Sequence, residues 1–163
     1  MILRPQRPED VPLLTGGDSP LTDFGPRAEL RMPRPPGLDG DGALSVMAPD
    51  GAVAGDVSWH WEQWGPNAGS RGPMIGIWLR RGYRGQGIGS AAQAQLVDLF
   101  FRHTTTNRIE ARTAVDNIAE QRALEAAGFQ REGTIRGSLW RDGAYRDDLM
   151  YAILRGDPRP GDR

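Results

Sequence analysis

The stretch Arg80-Arg81-Gly82-Tyr83-Arg84-Gly85-Gln86-Gly87-Ile88-Gly89 carries the densest chemical signal in the sequence. Glycines at 85, 87 and 89 let a backbone turn tightly and approach a ligand closely, so that successive N–H groups converge on one spot. Ile88 to His103 then has the apolar spacing of a helix, and a helix start adds unpaired N–H groups and the positive end of a dipole. Arg80, Arg81 and Arg84 bring formal charge to the same place. Such a loop suits a phosphate or pyrophosphate far better than a neutral group. A solvated glycine turn is the competing explanation, and the strand before and helix after speak against it.

Groups able to move a proton are few. Along Ala52 to Trp64, alternation puts Val57, Trp59 and Trp61 on one strand face and Asp56, Ser58, His60 and Glu62 on the other. His60 and Glu62 are the candidate bases there, since either accepts a proton at neutral pH, directly or through a water. An exposed strand face explains them equally well. His103, ending the long helix, reads as a dipole partner. Asp147 and Asp148 would attract a cation, but neighbours on a strand alternate, so at most one of them can point inward.

Other chemistries are excluded by composition. The chain has no cysteine, which removes disulfides, thiolate nucleophiles and cysteine-based metal sites. It has no lysine either: all 20 basic residues are arginine, so neither a Schiff base nor a Walker A lysine is available. Two histidines do not make a multi-histidine metal site. The net charge of -1 offers no global field for a nucleic-acid backbone.

The elements that must position these groups follow from periodicity and turn residues. Ile2-Leu3-Arg4 reads as a strand and Pro8 onward as a helix start with acidic residues in its first turn. Thr15 to Gly42 is rich in Gly and Pro and reads as loop with at most one short helix. Two hairpins are signalled by Asp50-Gly51, between Ala43–Met47 and Ala52–Trp64, and by Asp142-Gly143, between Phe129–Trp140 and Ala144–Leu154. Met74 to Leu79 is apolar on both faces, as in a strand inside a sheet. Arg108 to Thr113 reads as a strand, and Ile118 to Ala127 as a helix closed by Gly128. The order predicts a single α+β domain, residues 1–154, with a mixed, mostly antiparallel central sheet flanked by helices, and a flexible tail from 155 to 163. A dinucleotide fingerprint can nearly be laid on Gly85, Gly87 and Ser90, or on Gly87, Gly89 and Ala92, with Glu110 as the ribose acid. The bracketing hairpins argue against it, because that loop follows the first strand of a βαβ run.

Arg84-Gly85-Gln86-Gly87-Ile88-Gly89 resembles the Arg/Gln-x-x-Gly-x-Gly/Ala acyl-CoA signature of the GNAT N-acetyltransferases. Asp116-Asn117 through Ala127-Gly128-Phe129, followed by Glu132-Gly133, is similar to their second motif block. The likeness covers residues 1–154 and is greatest to the branch containing the ribosomal-protein N-acetyltransferases. It implies acetyl-CoA as co-substrate, its pyrophosphate on Arg84, Gly85, Gln86, Gly87, Ile88, Gly89 and Ser90. The pantetheine arm would lie along a splayed strand at Ile77, Trp78 and Leu79, where a backbone N–H would polarise the thioester oxygen. Asn117 matches the family's cofactor-contacting asparagine, although Asn117-Ile118-Ala119-Glu120 is also a capping-box pattern.

One departure from the family is clear. Many members place a tyrosine in this second helix to protonate the leaving thiolate, but Leu124 stands there, and a serine often found three residues after the asparagine is Glu120. Water, or Tyr145 or Ser138 from the last hairpin, would then protonate the thiolate, and Leu124→Tyr is expected to leave folding intact. The resemblance implies transfer of acetyl to an amine of a small molecule or a protein N-terminus by direct attack in a ternary complex. The alternative is a non-catalytic acyl-CoA-binding sensor or interaction module, favoured only by the missing tyrosine. A cytoplasmic protein is expected, since no secretory signal or run of ~18 or more apolar residues is seen. Its partner is a small-molecule or peptide amine acceptor, not nucleic acid or membrane, and a homodimer is compatible with the sequence.

Overall fold

In the computed structural model, residues 2–14, 16, 19–22, 24 and 30–161 are described. Strands β1 (Leu3–Pro5), β2 (Gly42–Met47), β3 (Val53–Gln63) and β4 (Arg71–Leu79) come first. Helix α1 (Ile88–His103), β5 (Arg108–Ala114), α2 (Ile118–Ala126), β6 (Gln130–Arg141) and β7 (Ala144–Leu154) complete the domain. They form one seven-stranded sheet in the order β1-β2-β3-β4-β5-β7-β6. Every neighbouring pair is antiparallel except β4 with β5. This is the mixed α+β sheet expected from the sequence.

Both hairpins form at their Asp-Gly signals. Asp142 and Gly143 both take positive φ, 51° and 68°, which matches the right-handed twist of the strands they join. Two elements differ from expectation. The segment after Pro8 is a 3-10 turn, Pro8–Leu13, because Pro12 inside it has no N–H to continue an α-helical ladder. β4 begins at Arg71, before the apolar run, since Trp61, Glu62 and Gln63 pair with Pro73, Gly72 and Arg71. Between Thr15 and Gly42, residues 15, 17, 18, 23 and 25–29 lie outside the described residues, and Pro20–Thr22 forms a short 3-10 turn.

Alternation decides which face of the sheet is covered. Val57 and Trp59 of β3, Ile75 of β4, Ile109 and Ala111 of β5, and Leu149, Tyr151 and Ile153 of β7 are buried in one cluster with Ala92, Leu96 and Phe100 of α1 and Leu124 of α2. The Trp59 and Phe100 rings meet edge to face at 5.5 Å. The opposite face carries Asp56, Ser58 and His60 of β3 against Trp78, Gly76 and Met74 of β4, since directly paired residues share a side. Asp10, 1% exposed, ties the first turn to the sheet, accepting bonds from Arg4 (2.6 and 2.8 Å), the Arg7 N–H and the Ser45 hydroxyl. Those donors hold its carboxyl down to about 2, the Arg4 guanidinium contributing most. Beyond β7, where the sequence suggested a frayed tail, Arg155 donates to the carbonyls of Phe101, Thr104 and Thr106, and Arg159 covers the Phe101 ring.

Two predictions follow from this core. Leu124 has no exposed surface, so the tolerance of tyrosine expected from the sequence does not hold: Leu124→Tyr forces a larger ring and a hydroxyl into a filled site. Denaturant unfolding should show a loss of about 1–3 kcal/mol. Asp10, with its pKa lowered in the folded chain, contributes stability that is fully present above about pH 4 and is lost as pH falls toward its folded value of about 2. Unfolding midpoints measured across that range should drop steeply for the native chain and more gently for Asp10→Asn.

Candidate active site

The site begins where two parallel strands part. β4 and β5 are paired only at Met74 with Glu110 and at Ile75 with Ala111. β4 nevertheless continues to Leu79, held on its other edge by β3 as far as Gly55 opposite Leu79. β5 continues to Ala114, held by β7. Each strand therefore follows a different neighbour, and the edge of β4 from Gly76 to Leu79 that faces β5 carries no ladder partner. Arg80 N–H to the Ala54 carbonyl (2.8 Å) and Arg84 Nε to the Leu79 carbonyl (2.8 Å) pin the end of β4 against the loop that follows.

That loop delivers α1. Gly85 and Gly87 have φ of 72° and 77°, and a Cβ added at either would meet nothing within 4 Å. Both line the cleft, so a side chain there would project into open space in front of the helix start. Gly87 is the N-cap of α1 and offers no side-chain oxygen, which leaves the first-turn N–H groups available to an anion. The cleft, about 490 Å³, runs between Ile77–Leu79, the loop through Ser90, and the first turns of α2. Arg84, Gly85, Gly87, Gly89, Ser90 and Asn117 all line it. Gln86 turns its amide back to the Gly82 carbonyl at 2.8 Å and Ile88 is buried in the core, so neither contributes a lining side chain.

Asn117 caps α2, its Oδ1 accepting the Glu120 N–H at 3.3 Å, and also faces the cleft. The other half of the expected capping box is not made. Glu120 Oε1 instead accepts from Gln93 Nε2 of α1 at 2.5 Å. Burial pushes its carboxyl up to about 7, with the Gln93 bond pulling the other way. Composition and spacing gave no sign of this, because a first-turn glutamate ordinarily serves the helix dipole.

On the face of the sheet away from the helices lies a second cavity of about 940 Å³. It shares Ile77, Trp78 and Thr22 with the cleft, so the two adjoin where β4 leaves β5. Its wall carries Asp56, Ser58 and Gly76, with Arg34, Phe24 and Leu30 from the long connection before β2. Asp56 is buried and ion-paired with Arg34; burial raises its pKa while the guanidinium opposes the rise. Among the described residues, Arg34 Nε and Trp78 Nε1 are buried donors with no partner.

The four side chains expected to move protons stand elsewhere. His60 and Glu62 bond each other at 3.0 Å on the exposed end of β3, beyond Asp56 on the same face. Tyr145 is 72% exposed and edge-stacked on Trp140, while the Ser138 hydroxyl bonds the Ile135 carbonyl and Asp148. None of the four lines either cavity. The alternation of Asp147 and Asp148 is as expected: Asp148 is buried, and Asp147 accepts the Gly137 N–H at 2.7 Å. Asp56 had been visible as a member of the polar face; which end of that face meets the cleft had not.

A glycine turn at a helix start, set at the mouth of a splay between two parallel strands, makes an extended cleft with an anion-binding end. Residues 1–130 match the Acetyltransferase (GNAT) domain, and the chain belongs to that family. It is 29% identical over 117 residues to "Putative ribosomal N-acetyltransferase YdaF" of Bacillus subtilis, covering 72% of this chain and 62% of that protein. It is 36% identical over 84 residues to "Probable N-acetyltransferase YjcK" of the same organism, covering 52% and 46%. The chain thus spans about half to three-fifths of the length of these curated relatives. Among solved structures, Mycobacterium smegmatis RimJ in complex with CoA-disulfide superposes with a TM-score of 0.63 at 29% identity over 71% of this chain and 53% of that one. Spermidine N-acetyltransferase from Vibrio cholerae shares the fold more completely, with a TM-score of 0.76 at 18% identity over 95% of both chains.

Gly87→Val tests the cradle directly. It would place a branched side chain on a left-handed backbone in front of the helix start. Calorimetric titration should show acetyl-CoA affinity reduced by more than about tenfold, or about 1.4 kcal/mol, with the circular dichroism of the fold retained.

Proposed function

We propose that this chain transfers an acetyl group from acetyl-CoA to the α-amino group of a peptide or of an amino-acid amide. The observation that carries the reading is the junction at Ile77 and Trp78, where a cleft fitted for a phosphate-bearing arm opens into a chamber holding a buried carboxylate. The residues present fit acetyl-CoA: the space in front of Gly85 and Gly87 is open, and the β4 edge beyond Ile75 has backbone groups without ladder partners. Bound there, acetyl-CoA would supply an acyl carbon activated by a thiol leaving group.

The chain's own residues then have separate tasks. The N–H groups from Gly87 to Ser90 and the charge of Arg84 hold the pyrophosphate. The free edge of Ile77, Trp78 and Leu79, with Asn117 opposite, takes the amide-bearing arm and fixes its depth, which supplies the positional part of catalysis. Asp56 accepts the proton of an incoming ammonium, and its raised pKa brings it closer to that of the amine. Arg34 already balances its charge, so the chamber has no surplus of negative charge for a polycation. The unpaired donors Arg34 Nε and Trp78 Nε1 favour an acceptor with oxygens beside its amine, as an α-amino amide has and a polyamine lacks. A cytoplasmic site of action belongs to the same proposal.

Release of free thiol, followed over a panel of amines, tests the reading. Short peptides with a free N-terminus should turn over, N-terminally blocked ones should not, and spermidine should be at least about tenfold poorer. Asp56→Asn should lower kcat/KM by about 10²-fold, the lower end for a general base. A preference for spermidine, together with an Asp56→Asn rate close to that of the native chain, would reject the acceptor and base assigned here.

A further inference from the structure

We propose that Glu120 is the residue that protonates the leaving sulfur, a role that rests on the acetyl-CoA reading above. Its depth in the cleft is the first reason. A Cβ added at Gly89 would lie 3.6 Å from Leu79 and 3.8 Å from Ile77, which puts the start of α1 beside the end of β4. α1 runs back antiparallel to the strand, so Gln93, one turn further on, lies about 6 Å deeper, a distance of about two strand residues. That is the level of Ile75 to Ile77, where pairing with β5 ends and the cleft meets the chamber. Glu120, bonded to Gln93 at 2.5 Å, stands at the same level on the α2 side. An arm laid along Leu79 to Ile77 from the cradle brings its far end there.

The surroundings are the second reason. Among the described residues, Glu120 is the acidic side chain that lines the cleft; the charged side chains sharing it are Arg84, from the loop, and Arg122, from α2. The other elements around it contribute neutral groups, Gln93 and Ser90 from α1, Ser19 and Thr22 from the turn before β2, and only apolar side chains from β4. With no cation bonded to the carboxyl, burial holds its pKa at about 7, so that near neutral pH a large share of molecules carry the proton. Gln93, 1% exposed and itself inside the core, fixes the carboxyl in place, and its own Oε1 has no partner among the described residues.

The step balances. The C–N bond to the amine forms, the C–S bond breaks with its electron pair staying on sulfur, and Glu120 gives its proton to that sulfur. Asp56 or water takes the proton released by the amine, and Glu120 regains one from solvent. The missing tyrosine at Leu124 then leaves no gap in the chemistry.

The test uses the full chain, CoA and acetyl-CoA, with Glu120→Gln and Glu120→Asp. A carboxylate against the sulfur should raise the pKa of bound thiol, which is ~8.5 when free. Followed by the ultraviolet absorbance of the thiolate, CoA bound to the native chain should titrate about one pKa unit or more above CoA bound to Glu120→Gln. In turnover, Glu120→Gln should lower kcat by about 10²-fold, leave the KM for acetyl-CoA within about threefold, and lose the fall in rate above about pH 7. Glu120→Asp should recover part of the loss. The fold has its own readout. A carboxyl whose pKa is raised by folding makes the folded state less stable as pH rises from about 5 to its folded value, so native unfolding midpoints should fall over that range and those of Glu120→Gln should not. Identical thiol titrations in the two proteins, or an unchanged kcat and pH profile, would overturn the role of Glu120. Failure of the native chain to bind CoA at all would instead overturn the acetyl-CoA reading.

Discussion

The parting of β4 from β5 after two paired positions is the constraint on which the rest of this protein depends. A parallel pair inside a sheet is normally bonded along its length, because an unpaired buried backbone edge is costly. Here each strand is committed to its antiparallel neighbour on the other side, β3 for β4 and β7 for β5, and those pairings persist as the central one stops. The result is a wedge with free backbone groups on one wall and the first turns of α2 on the other. The wedge also breaches the sheet, so that a helix-side cleft and a chamber on the opposite face adjoin at Ile77 and Trp78. The proposed reaction, with one substrate entering from each side, uses that breach.

Three carboxyls, Asp10 and Asp56 buried and Glu120 half-buried, show how far partners decide the state of one chemical group. Asp10 accepts from a guanidinium, a hydroxyl and a backbone N–H and is held down to about 2, so it serves as a permanently ionised tie between the first turn and β2. Asp56 has one cationic partner, Arg34, which does not outweigh burial, and its pKa lies above the usual value. Glu120 has one neutral amide and rises to about 7. The order follows the number and charge of the donors rather than depth alone. It separates a structural carboxylate from the two to which the proposed reaction assigns proton exchange, one on each side of the wedge.

The same loop that delivers α1 explains why so little charge is needed at the cradle. Arg80 is spent on the Val53 carbonyl and the Tyr83 ring, and Arg84 Nε on the Leu79 carbonyl, so these arginines also build the loop. The anion site comes from backbone: two glycines at positive φ and a helix whose cap supplies no side chain. Convergent N–H groups have a fixed geometry that long side chains lack, and they lose little entropy when a ligand arrives.

What the sequence determined by itself is what local physics dictates. The hairpins at Asp50-Gly51 and Asp142-Gly143, the span of α1, the glycine turn before it and the Asn117 cap all follow from turn residues, periodicity and capping, and each appears where those rules put it. The polar face of β3 was legible as well, down to Asp56, Ser58, His60 and Glu62. Tertiary structure alone decided which end of that face meets the cleft, because strand alternation is blind to what lies across the sheet. It turned Glu120 from a helix-capping residue into a half-buried partner of Gln93, and it sank Leu124 in the core, where a tyrosine had been expected to leave folding intact. It also set the splay, since no local pattern reports that two parallel strands, each with a stronger commitment elsewhere, will separate. Groups brought together across the sheet acquire their burial and their proton affinity from neighbours distant in sequence, and those properties exist only once the chain has closed on itself.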